Sequence, residues 1–255
     1  MSRAWRIGGP TGVLLSLLAL WALVTGLGWV DPLVLPSPVA VFGVFWNQPW
    51  LMATNAGITA TEAIIGLILG NACGLLLAII FVSSASGRRA VLPLAMAAQA
   101  VPIVAVTPAL IIGFGDGMEP KILVATFLVF FPMLVNGMRG LRSADAEVGE
   151  LMHSLDASAW QRLWMVRLPA ALPFIFTALK FSACSSFVAA IVAEWVAANK
   201  GLGYLIVFAG SQYRSDEVWA AVLIGTLSSM ILVGLVVLLE RRVMPWANDP
   251  TEGLT

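Results

Sequence analysis

The chain has 255 residues, 60% hydrophobic and 11% charged, with no net charge. A water-soluble domain carries roughly 25% charged residues, so the composition excludes a soluble enzyme, and the absent basic surplus excludes a nucleic-acid partner. Two cysteines and one histidine leave too few ligands for zinc or haem. Cys73 and Cys184 both lie in apolar runs and are expected to be small buried hydrophobes.

A helix needs roughly 20 apolar residues to cross the hydrocarbon of a bilayer. The first such run, 12–30, follows Arg3 and Arg6, and no A-x-A site comes after it, so it is expected to be a retained spanning helix. The stretch 31–50 holds Pro32, Pro36, Pro38 and Pro49, which argues against regular helix. A second span is expected at 56–82, where Gly66, Gly70 and Gly74 allow close helix approach within one chain. The third, 91–113, contains Pro102 and Pro108 and should kink or break. The FGDGMEP stretch that follows has a G-x-G pattern but no preceding strand, so a dinucleotide site is rejected.

Further spans are expected at 121–137, 170–195 and 217–239, and GLGYLIVFAGSQ in 199–217 is apolar enough to dip into the membrane as a loop. This gives an all-α membrane protein of about six spanning helices in a single domain, 1–255, with a loose tail at 246–255. An even number of spans puts both termini on one side, together with Arg88, Arg89, Arg139, Arg142, Arg162, Arg167, Arg241 and Arg242. Only Lys121, Lys200 and Arg214 fall on the other side. Lys and Arg concentrate in cytoplasmic loops, so both termini are expected in the cytoplasm.

The polar island 150–169, ELMHSLDASAWQRLWMVRLP, then lies in the cytoplasm. Val148, Leu151, Met152 and Leu155 repeat at helical spacing, as do Trp160, Leu163 and Trp164. Ser158 and Gln161 fit a capping box that starts the second helix. Two short amphipathic helices are expected, lying either on the lipid surface or against a protein partner. The lone His153 sits among them and faces solvent or partner.

The same stretch resembles the EAA motif of permease subunits of ATP-binding-cassette (ABC) importers. Glu150, Leu151 and Met152 stand at the E-A-A places, and Val166, Leu168 and Pro169 at the closing I, L and P. Asp156 replaces the motif's glycine; Asp tolerates a left-handed backbone and keeps the turn. FFPMLVNGMRGLRS, RLPAALPFIFTALK and EWVAANKGLGYLI resemble the branch that carries nitrate, sulfonates and taurine. AVPIVAVTPALIIGFGDG and LLERRVMPW resemble members for riboflavin or pyrimidine precursors of thiamine. The likeness covers roughly 50–246.

The resemblance implies a type I importer permease fold with a cytoplasmic coupling helix, transporting a small organic solute by ATP-driven alternating access. It implies a homodimer, two ABC ATPase subunits and a periplasmic or lipid-anchored binding protein. ATP and Mg would sit on the ATPase, since the chain has no G-x-x-x-x-G-K-[ST] loop and no cofactor of its own is expected. Within the loop 145–165, ATPase coupling falls to Glu150, Leu151, Met152, Leu155, Asp156, Trp160, Leu163 and Trp164.

Polar groups at membrane depth are costly and mark pathways or helix contacts. Gln99, Pro102, Thr107, Lys180 and Glu194 are candidates for the path or its gate, and a positive Lys180 would suit an anionic solute. Glu62, Asn71 and Asn136 are further polar groups in the spans. A secondary transporter or channel without an ATPase is the alternative, although no internal repeat is visible. An intramembrane enzyme lacks a base beside a nucleophile.

Overall fold

The computed structural model describes residues 3–82, 93, 95 and 97–248, and among these it is helical throughout, without strands. Arg88, Arg89, much of the first half of the expected span 91–113 and the tail beyond 248 lie outside the described residues. In chain order the helices are α1 (Arg3–Gly26), α2 (Pro38–Asn47), α3 (Pro49–Val82), α4 (Ile103–Phe114), α5 (Glu119–Gly140), α6 (Ala146–Ser154), α7 (Ala159–Arg162), α8 (Leu168–Ala197), α9 (Leu202–Ser211) and α10 (Ser215–Val243). Four are long and apolar enough to cross a membrane: α3, α5, α10 and the continuous helix Ala159–Val196.

The centre is a layer of α3, α5 and α8. Small residues make this contact possible. A Cβ on Gly66, Gly70 or Gly74 would run into Ala125, Val129 or the Phe130 carbonyl of α5. The glycine spacing therefore serves packing inside one chain, as the sequence suggests. Gly140 meets Ala171 of α8 in the same way. Met133, Leu134, Met138, Ala171 and Ala178 fill the layer near α6. Asn71 of α3 accepts a hydrogen bond from Ser182 of α8 at 3.1 Å, so this buried polar pair is satisfied.

Two segments expected as loops are helical. Pro38 opens α2 at its first turn, where its missing N–H costs nothing, and Ser37 caps that helix by accepting from the Ala40 N–H at 3.2 Å. Pro49 likewise begins α3, which starts earlier than residue 56. The 199–217 stretch forms α9, whose Leu202 and Leu205 pack with Val41 and Val44 of α2 and Ala220 of α10. In the third region the chain turns at 100–102 and helix resumes at Ile103, so Pro102 breaks the helix while Pro108 is tolerated inside α4.

Cys73 and Cys184, expected to be buried, lie on exposed helix faces. A weakly polar thiol is accommodated by an apolar exterior as readily as by a core. The expected separation between the second loop helix and the fifth span is also absent. α7 runs through a π-helical turn, Leu163–Arg167, directly into α8. Pro169 lacks the N–H for a regular bond to the Met165 carbonyl, and its ring crowds that carbonyl. The wider π turn, with the Leu168 N–H reaching back to the Leu163 carbonyl, relieves the clash.

Candidate functional site: an exposed loop and a polar groove

The loop is built from capping chemistry. Asp145 starts α6 by accepting from the Glu147 N–H at 3.0 Å. At the other end Asp156 takes φ 50°, in the left-handed region. The Asp156 N–H then bonds the His153 carbonyl at 3.0 Å and the Ala157 N–H bonds the Met152 carbonyl at 2.9 Å. This is the Schellman pattern usually completed by glycine. Ser158 and Gln161 follow with both bonds of a capping box, at 2.8 and 3.2 Å.

The loop residues divide by where they point. No residue of α6 or α7 is buried. Leu151, Leu155, Trp160 and Trp164 are exposed, Leu155 at 67% and Trp160 at 66%. The two indoles pack edge-to-face at 5.3 Å. Glu150 and Met152 instead line a cleft of about 770 Å³ between α6 and the helix ends, with Arg142, Arg162 and Arg167 around it. Leu163 packs on the central core and anchors the loop.

A second region lies between α5 and α8. Two cavities of about 250 and 470 Å³ share Gln99, Pro132 and Phe181. Phe127 and Ser185 line one; Asn136, Arg139 and Thr177 line the other. Between residues 170 and 190 of α8 the exposed positions are Pro173, Thr177, Phe181, Cys184 and Val188, a helical stripe. The outer face of α10 is different. From Leu227 to Leu239 its exposed large side chains are Leu227, Met230, Ile231, Leu235, Leu238 and Leu239, all apolar; exposed Thr226 just before them bonds its own helix at Val222. Lipid accepts the α10 face at no cost, whereas the amides of Gln99 and Asn136 carry more polar groups than one helix carbonyl satisfies, and facing lipid they would leave some unpaired.

The five path candidates separate in the structure. Gln99 lines the groove, and Pro102 ends the turn beside it. Thr107 is fully buried and bonds its own helix at Ile103. Lys180 pairs with Glu240 of α10 at 2.9 and 3.0 Å, so its charge is balanced by a neighbour. Glu194, 1% exposed, accepts from Thr59 at 2.7 Å and from the Gly203 N–H at 2.5 Å.

Glu194 belongs to a clamp. The first N–H groups of α9 have no partner inside that helix. Asn55 accepts from the Gly201 N–H at 2.7 Å, Thr59 from the Leu202 N–H at 2.8 Å, and Glu194 from Gly203. A side chain on Gly201 or Gly203 would collide with the Glu194 carboxyl. Glu62 faces Glu194 across this cluster, and Lys121 lies within electrostatic reach of both.

The family model described as "Binding-protein-dependent transport system inner membrane component" matches residues 70–245. The chain belongs to this family. Among its permease relatives, the formylaminopyrimidine transport permease protein of Halalkalibacterium halodurans is 30% identical, over 96% of this chain and 98% of that protein. The riboflavin transport system permease protein of Chloroflexus aurantiacus is 32% identical, over 95% and 91%. The taurine transport system permease protein of Escherichia coli is 30% identical, over 93% and 89%. A solved chain of the inward-facing methionine ABC transporter MetNI superposes with a TM-score of 0.66 at 18% identity, covering 79% of this chain and 99% of that one. That likeness gives the permease the type I importer fold. The chain is thus the transmembrane permease subunit of an ABC importer for a small solute, which sets aside a secondary transporter or channel.

Thr177, Phe181 and Ser185 escape the sequence reading. Their signal is a four-residue recurrence of Pro173, Thr177 and Phe181 that continues to Ser185. Which face lacks a helical neighbour is visible only once α3, α5 and α10 are in place.

Proposed function

We propose that the α5–α8 groove is one wall of the translocation path, completed by a second copy of the chain across a two-fold axis. The observation that carries this is the contrast between the groove and the α10 face: Gln99, Asn136, Thr177 and Ser185 line the groove, where a lipid-facing surface would be apolar. We further infer that the loop 145–165 docks an ABC ATPase subunit. Exposed Leu151, Leu155, Trp160 and Trp164 supply the contact; Glu150, Met152, Asp156 and Leu163 set its position. The ATPase binds ATP and Mg, and a binding protein delivers solute to the opposite end, near α9. The arginines near the loop support a cytoplasmic location for it and for both termini.

The test is co-purification with the ATPase together with uptake in cells. Leu155→Asp and Trp160→Asp are expected to weaken both while the permease still inserts. Unchanged assembly would refute ATPase docking by the loop. Cross-linking of Gln99→Cys between two copies tests the dimeric path, and its absence in a transporting complex would refute it.

A further inference from the structure

The cleft beside α6 gathers charges that the chain itself leaves unanswered. It opens between α6 and the ends of three spanning helices: Val82 closes α3, Leu141 follows α5, and Arg167 precedes α8. Arg142, Arg162 and Arg167 line it together. Among the described residues the ion pairs are Lys180–Glu240 and Arg214–Glu217, so none of these three arginines has a carboxylate partner. Nor does any of them donate a side-chain hydrogen bond. Arg162 and Arg167 are partly buried, where an unpaired charge is costly. Two acids share the cleft, but Asp145 is engaged in capping α6 and Glu150 is exposed to solvent, and the cations outnumber them.

The lining has a second character. Val82, Leu141 and Val166 place apolar side chains beside the arginines, at the ends of the spans. A guanidinium takes two oxygens of one phosphate side by side, and basic pockets among helix ends suit lipid head groups. A free phosphate would use the arginines and leave the apolar wall bare, whereas a phospholipid covers both. We propose that this cleft binds the head group of an anionic phospholipid, its phosphate among Arg142, Arg162 and Arg167 and its glycerol and upper chains along Val82 and Leu141. The exposed Leu151, Leu155, Trp160 and Trp164 do not line the cleft, so the lipid site stands whether or not the loop docks an ATPase.

The experiment uses the full chain, purified in a neutral detergent and titrated with phosphatidylglycerol or phosphatidylcholine, with bound lipid counted by native mass spectrometry. Phosphatidylglycerol is expected to be retained in preference to phosphatidylcholine. Arg162→Gln combined with Arg167→Gln should weaken that binding about 30-fold, from roughly a fivefold loss for each arginine. Arg241→Gln with Arg242→Gln, basic residues at the end of α10 that do not line the cleft, should leave it unchanged. Should the first pair fail to insert, Arg142→Gln, at an exposed position, should give about the fivefold loss alone. Equal retention of the two lipids, or equal loss in the two pairs of substitutions, would reduce the cleft to general surface charge and overturn the proposal. Displacement of the lipid by inorganic phosphate would assign the cleft to a free phosphate, and displacement by the ATPase would assign it to that subunit; either result overturns the proposal too.

Discussion

The two ends of α8 are held by opposite means. At the α9 end, Glu194, Thr59 and Asn55 are buried and spend their hydrogen bonds on backbone N–H groups of a neighbouring helix. At the other end the same helix continues into α7, where the indoles of Trp160 and Trp164 touch each other and otherwise stand exposed. Buried, satisfied polar groups fix a single arrangement; exposed large apolar groups wait for a surface. The difference separates residues that hold the permease together from residues available to a partner.

Four substitutions would break or sharpen that division. Gly203→Val drives a side chain into the Ile191 carbonyl and the Glu194 carboxyl, and should cost about 3 kcal/mol or more, read as a lowered melting temperature in detergent. Thr59→Val leaves the Leu202 N–H and one Glu194 oxygen unpaired, a loss of about 2 kcal/mol in the same assay. Leu155→Asp should leave the melting temperature alone yet weaken ATPase binding by about 2 kcal/mol, roughly 30-fold, measured by titrating the ATPase onto the permease. Lys180→Met removes a partly exposed pair and should cost about 1 kcal/mol or less, with uptake at the wild-type rate. A melting loss for Leu155→Asp, or none for Thr59→Val, would erase the distinction between the two ends.

Local chemistry was legible in the sequence because its partners sit a few residues apart. The capping box at Ser158 and the left-handed Asp156 needed nothing beyond the loop itself. The glycines of α3 were readable because close helix packing leaves a four-residue rhythm. Proline misled in 31–50, where Pro38 and Pro49 open helices instead of preventing them. The pairing of Lys180 was not legible because its partner, Glu240, lies 60 residues away. The clamp joins residues from α3, α8 and α9, and no periodicity announces such a meeting. Of the groove, Gln99 was found because amides are rare at membrane depth; Thr177 and Phe181 are ordinary there until the neighbours of α8 are known.

The absence of a break at Pro169 has a mechanical consequence. Ala159–Val196 is one helix of 38 residues, a rod of about 57 Å at 1.5 Å per residue. Tilting such a rod by about 5° at its loop end sweeps the other end through about 5 Å. The bonds from Glu194 to Thr59 and Gly203 are 2.7 and 2.5 Å long, too short to stretch over that distance. A tilt of the rod must therefore carry α3 and α9 along with it or tear Glu194 away from them, unless the π turn below Pro169 yields first and takes up the motion as a flexible joint.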